Sequence, residues 1–450
     1  MTRSMTEGRP LPMILQFALP LLIGNLLQQT YNIIDAAIVG RILGADALAG
    51  VGASSSVQFL VLGFCIGVCC GFGIPVARSF GARDYEKMRS DIFHGMVLTG
   101  VFAVALTALC VLLCPQILRL LSTPEEIYGN AYQYLVILFL GIPFNLLYNL
   151  LSGIFRSVGD SRTPFLFLAF STVLNIGLDL FCILVLQLGC AGAALATVVS
   201  QAVSGILCYL YMRKKMPILH LRRQECRLDG DTVKLMLSMG LPMGLQYSIT
   251  AIGSMVMQSA NNGLGSVYVS GFTAGMRIKQ FAMCPFDALA TGVSVFCSQN
   301  LGAGRIGRIK TGIRQGTVVS IMYGVFAGLV LVLFGRMLSM LFLSGENTAI
   351  LDASAKYLRC MGFFYWSLGI LNVCRMSAQG LGFSGRVVFA GMLEMVARIG
   401  VSLLFVPLFG FTAICFADQA AWLAACIYLV PTCLHCVRIC ERRAGRRDED

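Results

Sequence analysis

The chain has 450 residues, 57% hydrophobic and only 12% charged, with a formal net charge of +12 and a mean hydropathy of +0.78. A soluble domain carries about 25% charged residues, so a water-soluble globular protein is excluded. The apolar content matches about twelve membrane-spanning helices of about 20 residues each, an all-α integral membrane protein.

Apolar runs between charged or Gly/Pro-rich breaks place spans near 11–36, 47–76, 93–115, 130–152, 164–188 and 190–212. Six more follow near 235–262, 268–297, 315–342, 354–378, 386–408 and 412–437. No cleavable leader is expected, because the amphipathic stretch Met1 to Pro12 runs into the first apolar segment without a small-residue cleavage pattern. Pro20, near the middle of the first span, removes a backbone donor and can kink the helix, statically or as a hinge. On the second span, Gly63, Gly67 and Gly71 repeat every fourth residue, the spacing of close helix contacts in lipid.

The loops set the orientation. With Met1 cytoplasmic, loops on that side hold 25 Lys and Arg against 5 opposite, so both termini are expected inside a cell membrane (inner or plasma). The basic residues belong to this pattern, which leaves no basic domain for nucleic acid; the partners expected are the lipid bilayer and a small-molecule substrate. The eighteen cysteines lie mostly in apolar runs and read as reduced packing residues. Cys433, His435, Cys436 and Cys440 resemble a metal ligand set only superficially, since they close the last span without a partner cluster.

The chain repeats itself. Leu43-Gly44 through Gly50 aligns with Leu264-Gly265 through Gly271, and Phe80-Gly81-Ala82 with Leu301-Gly302-Ala303, at one offset. Ala18-Leu19-Pro20 meets Gly240-Leu241-Pro242, and Gly159 meets Gly382, at nearly the same offset. Six spans per half make the repeats parallel, related by a pseudo-two-fold axis along the membrane normal, as in many transporters. The division expected is a bundle over 1–212, a cytoplasmic basic linker over 213–234, a second bundle over 235–437 and a charged cytoplasmic tail over 438–450.

Ionisable groups at bilayer depth are costly and mark function or buried pairing. Gln28, Tyr31, Asn32 and Asp35, spaced i, i+3, i+4 and i+7, share one face of the first helix. Asn175 and Asp179 share a face of the fifth, and Asp179 and Thr197 both lie roughly 22 Å from the cytoplasmic ends of their helices, at about 1.5 Å per residue. A polar clasp between helices would use the same amides and hydroxyls. Two carboxylates favour an ion or proton site instead, since apposed acids in a low dielectric repel unless a proton or cation intervenes. In the second half, Glu394 and Arg398 are spaced i, i+4, and an internal ion-pair network of Arg277, Lys279, Asp287, Glu394 and Arg398 is expected.

Together with the twelve spans in two halves, specific motifs carry a resemblance over nearly the whole chain. The run Pro20 to Gly40 with Asp35, Gly-Ile-Phe-Arg-Ser-Val-Gly-Asp (153–160) before Thr163-Pro164, Asn175-Ile-Gly-Leu-Asp179, and Gln299-Asn300-Leu-Gly-Ala-Gly304 look like the multidrug and toxic compound extrusion (MATE) family, bacterial type. The resemblance implies two six-helix bundles around a V-shaped central cavity, and alternating-access antiport of organic cations or other amphiphiles against Na+ or H+. It implies a cation-coupling site of Asp35, Asn175, Asp179 and Thr197, with no metal beyond Na+ and no cofactor. It places Gln28, Tyr31, Tyr134 and Asn149 in the substrate cavity, where Asn32 joins them from the face it shares with Gln28 and Tyr31. The second half departs from members with acids on helices 7 and 10: helix 7 here has Gln246 and Gln258, and helix 10 has Arg375. A lipid or lipid-linked oligosaccharide flippase of the same superfamily is the alternative. An enzyme is not expected, nothing in the chain requires a partner subunit, and a monomer suffices.

Overall fold

The computed structural model describes residues 3–120, 123–343 and 347–447, and every regular element among them is helical. The first seven long elements are α1 (Pro10–Ile42), α2 (Ala45–Gly81), α3 (Tyr85–Leu120), α4 (Glu125–Leu140), α5 (Ile142–Ser157), α6 (Arg162–Leu180) and α7 (Gly189–Lys215). The others are α8 (Gly230–Asn262), α9 (Ser266–Gly302), α10 (Ile306–Ser339), α11 (Thr348–Gly380), α12 (Ser384–Gly400), the short α13 (Val406–Phe409) and α14 (Phe411–Arg447). One π-helical turn follows α6 at Phe181–Val185, and a second follows α12 at Val401–Phe405.

Ten of these helical segments are long and apolar enough to cross a membrane, and the pair α4 and α5, bent by 47°, would make an eleventh. The fourth expected span is therefore broken: Pro143 in the first turn of α5 has no N–H to give the turn before it, and the chain bends at Gly141. α11 has the length, at 33 residues, but not the apolar composition. It lies deep in its unit with Tyr357, Leu358, Met361 and Tyr365 fully buried, so protein rather than lipid surrounds most of it. Elsewhere large apolar side chains stand outward, such as Val104 and Leu112 at 73% exposure, as a lipid-facing surface requires.

The chain divides into two compact units, residues 1–4 with 23–244 and residues 5–22 with 245–450. These compact units, unlike the division expected at the basic linker, divide the chain inside α1 and α8. The start of α8 packs in the first unit because small residues let it approach α2: a Cβ on Gly71 would stand 2.5 Å from Gly240 Cα, and one on Gly67 2.6 Å from the Met243 carbonyl oxygen. Ile74, Met239 and Met243 close that contact. The start of α1 packs in the second unit, where Met13, Ile14 and Phe17 join Leu289, Val293 and Phe296. Pro20 sits inside α1 and Pro242 inside α8, each two residues before its helix changes unit.

Within the first unit, the linker docks on α3. Arg89 Nε donates to Glu225 at 2.7 Å, and the Asp229 N–H donates to His94 Nε2 at 2.9 Å while His94 Nδ1 meets the Ser90 carbonyl at 2.7 Å. Within the second unit, the motif at 299–304 holds the segment before α1. Met5 N–H donates to Gln299 Oε1 at 2.8 Å, Asn300 Nδ2 donates to the Met5 carbonyl at 3.1 Å, and Arg308 donates to the Gly8 carbonyl at 2.7 Å. The tail expected from 438 is a continuation of α14 to Arg447, tied to α10 by a Lys310–Glu441 ion pair; its last residues, 448–450, lie outside the described residues.

The repeat extends to backbone geometry. Gly44 and Gly265 have φ of 90° and 106°, and Gly189 and Gly410 have 59° and 57°, so the same left-handed turns recur in each half. Arg83, at φ 60°, takes the position that Gly304 fills in the second half at 69°.

Candidate functional site

In the first unit α1, α6 and α7 bring four of the expected residues together. Asp179 is fully buried and Asn175 is 3% exposed, on the shared face of α6. Asn175 Nδ2 donates to Thr197 Oγ1 across 3.4 Å, and Thr197 returns its own hydroxyl proton to the Ala193 carbonyl at 3.1 Å. Asp35 reaches in from α1, its carboxyl beside that of Asp179. Tyr31, one turn earlier on α1, meets the Thr197 side chain and neighbours Asp35, Asp179 and Tyr134.

The inventory of donors at this point is short. Both Asp179 carboxylate oxygens, Asp35 Oδ1 and the Asn175 carbonyl oxygen are buried and receive no hydrogen bond. Burying such oxygens without a donor costs about 1–3 kcal/mol each, more when charged. A set of convergent hard oxygens is what a proton or a small hard cation binds.

The remaining first-half candidates divide. Tyr134 is buried beside the carboxyls. Gln28 and Asn32 are exposed on α1, at the surface of their unit. Asn149 bonds along its own helix, Nδ2 donating to the Asn145 carbonyl at 2.8 Å and to Asn145 Oδ1 at 3.0 Å. Asn145 in turn donates to Gln201 Oε1 at 3.4 Å, so this amide relay between α5 and α7 is a separate polar feature, and sequence reasoning did not find Asn145 or Gln201.

The second unit holds a different constellation. Asp418, on α14 and 1% exposed, accepts from Lys279 Nζ at 2.5 Å and from Arg398 Nε at 2.9 Å. The Tyr357 hydroxyl adds a third donor at 3.1 Å, and Lys279 also lies over the Trp422 ring, 5.4 Å from its centroid. Glu394 pairs with Arg375 and stands 3.6 Å from Arg398, one turn on. The expected network of Arg277, Lys279, Asp287, Glu394 and Arg398 is thus recast. Asp418 is its hub and Arg375 a member, whereas Arg277 forms no ion pair among the described residues and Asp287 takes the Asn372 amide at 3.4 Å. Asp418 was legible as the lone acid in the apolar run from Phe411 to Cys433; its two cations were not, because they come from other helices.

Comparison with known proteins places these observations in one family. The MatE family description matches residues 20–181 and again 242–404, one copy in each half. A probable multidrug resistance protein, YpnP of Bacillus subtilis (strain 168), is 32% identical over 420 residues, 93% of this chain and 90% of the relative. Multidrug export protein MepA of Staphylococcus saprophyticus is 24% identical over 406 residues, 89% of this chain and 88% of its own. A solved structure described as the outward-facing conformation of a multidrug resistance MATE family transporter of the MOP superfamily superimposes with a TM-score of 0.91 at 22% identity, over 97% of this chain and 98% of its own. The fold is that of these transporters, twelve helices in two bundles.

Proposed function

This chain belongs to the MatE family of multidrug efflux transporters, which are not enzymes, and from that premise we propose that it is a secondary active exporter that couples outward movement of organic cations or amphiphiles to inward flow of H+ or Na+. The observation that supports this reading is the set of donorless buried oxygens of Asp35, Asn175 and Asp179, with Thr197 beside them. Two apposed carboxylates cannot both remain bare in a low dielectric, so the site fills with a proton or a cation at high outside activity and empties when it faces the cytoplasm. Filling removes the repulsion between Asp35 on α1 and Asp179 on α6. The relative placement of those helices then depends on occupancy, and differential binding to two conformations is what drives alternating access. The coupling ion is cargo here, and the carboxylates hold it without bond chemistry.

In the second half, Lys279, Arg375 and Arg398 already neutralise Glu394 and Asp418. Asp287 takes the Asn372 amide rather than a cation, and coupling is assigned to the first half, where two carboxyls lie side by side. The flippase reading is not favoured: the relatives described above are named multidrug resistance and multidrug export proteins.

The test is efflux of a fluorescent organic cation from proteoliposomes under separately imposed pH and Na+ gradients. Efflux driven by one gradient, and lost in Asp35→Asn and in Asp179→Asn, supports the assignment. Efflux that ignores both gradients, or survives both substitutions, removes it.

A further inference from the structure

The sequence reads the eighteen cysteines as inert packing residues. Five of them nevertheless lie along one seam of the second unit, where α11 packs on α14. The register of that seam is set by bonds that do not involve a cysteine pair. Lys356 Nζ donates to Thr412 Oγ1 at 2.6 Å near the start of both helices, and further along Cys426 Sγ donates to the Ser367 carbonyl at 3.4 Å. Advancing along α11 thus advances along α14, so the helices run parallel.

This register sets thiol against thiol twice. Cys360, one turn after Lys356, lies beside Cys415, one turn after Thr412. Deeper in, Cys374 lies beside Cys433. The two pairs differ in access. Cys374 and Cys433 are 6% and 2% exposed, whereas Cys360 is only partly buried and its neighbours Lys356 and Arg359 are both exposed. Reactive cysteines sit in such partly exposed, electropositive surroundings, while enclosed ones are inert.

We propose that Cys360 and Cys415 form a redox modification site that closes to a disulfide by exchange with a small external disulfide such as oxidised glutathione. The Cys360 sulfur, giving up its proton, attacks one sulfur of the small disulfide, forming a mixed disulfide and releasing one small thiol. The Cys415 sulfur then attacks the Cys360 sulfur, its proton leaving with the second small thiol. The protein pair is oxidised by two electrons and the small disulfide is reduced by the same two. The new bond ties α11 to α14 within one turn of Tyr357 and Asp418, whose hydrogen bond it would hold in place.

The experiment treats the full-length protein, in detergent and in proteoliposomes, with oxidised glutathione. It then counts free thiols by alkylation under denaturing conditions and maps linked peptides by mass spectrometry. The expected result is loss of one pair of thiols, a peptide linked through Cys360 and Cys415, recovery on reduction with dithiothreitol, and no linkage in Cys360→Ala or Cys415→Ala. Cys374→Ala should leave the linkage intact. Cys360 is only partly buried, so its variant stays informative where replacement of the fully buried Cys415 disturbs folding. Linkage at Cys374–Cys433, a glutathione adduct on Cys360 that never resolves, or full retention of thiols would each overturn the proposal.

Discussion

Lys279 Nζ lies 2.5 Å from Asp418 Oδ2, and Arg398 takes the other oxygen of the same carboxylate at 2.9 Å. One buried acid thereby bridges cations from two other helices. Removing one member of such a pair leaves a buried charge uncompensated, at a cost of about 3–5 kcal/mol. Asp418→Asn is therefore expected to lower the thermal midpoint in detergent markedly, and Asp418→Leu combined with Lys279→Met to recover part of the loss. A double variant no more stable than Asp418→Asn would count against a mainly structural role.

In the first half, substitutions at the carboxyls should separate coupling from folding. Asp35→Asn and Asp179→Asn replace carboxyls holding unsatisfied oxygens with amides of the same shape, so both proteins are expected to fold with midpoints near wild type. Gradient-driven efflux should fall to the background of protein-free vesicles. Thr197→Ala, which removes the hydroxyl that accepts from Asn175, should weaken coupling without abolishing it; initial efflux rates at several ion gradients distinguish the cases.

Packing of α2 against the start of α8 gives a stability prediction. A Cβ at Gly71 meets the Gly240 backbone at 2.5 Å, far inside van der Waals contact, and backbone cannot step aside as a side chain can. Gly71→Ala should cost about 1–3 kcal/mol by overpacking. Gly100→Ala, at an exposed position on α3 with nothing within 4 Å, is the matched control and should be neutral or slightly stabilising.

The linker should undock in acid. The Arg89 guanidinium holds the Glu225 carboxyl below the usual carboxylate range. A depressed folded-state value means that docking is favoured above the free carboxyl value, about 4.3, and that this contribution is lost as pH falls through the lowered one. Hydrogen exchange at Arg222, whose N–H donates to the Glu225 carboxylate at 3.0 Å, should be slow at neutral pH and accelerate only in strongly acidic solution, with Glu225→Gln fast throughout. A Glu225→Gln profile that matches wild type would show that the ion pair does not hold the linker.

How much of this was legible beforehand follows from the range of each interaction. Composition and apolar run length establish a polytopic helical protein because the bilayer is a solvent that satisfies no backbone group, so each long apolar run must be a helix. The shared face of Gln28, Tyr31, Asn32 and Asp35, and that of Asn175 with Asp179, follow from 3.6-residue periodicity within single helices. The repeat, too, is local information copied twice, down to the left-handed φ at Gly44 and Gly265.

What only the tertiary structure decided are the meetings between helices. The sequence marks Arg398 and Glu394 as neighbours on α12, but that Asp418 from α14 reaches Arg398 and Lys279 together is a matter of three-dimensional packing. The sequence shows eighteen cysteines, mostly in apolar runs, and only the α11–α14 register sets Cys360 beside Cys415. It shows one boundary at the basic linker, and only the approach of Gly67 and Gly71 to the α8 backbone assigns residues 230–244 to the first unit. The physical reason is the same throughout. Periodicity along a chain states which side chains share a face, and close packing across faces selects which distant groups touch.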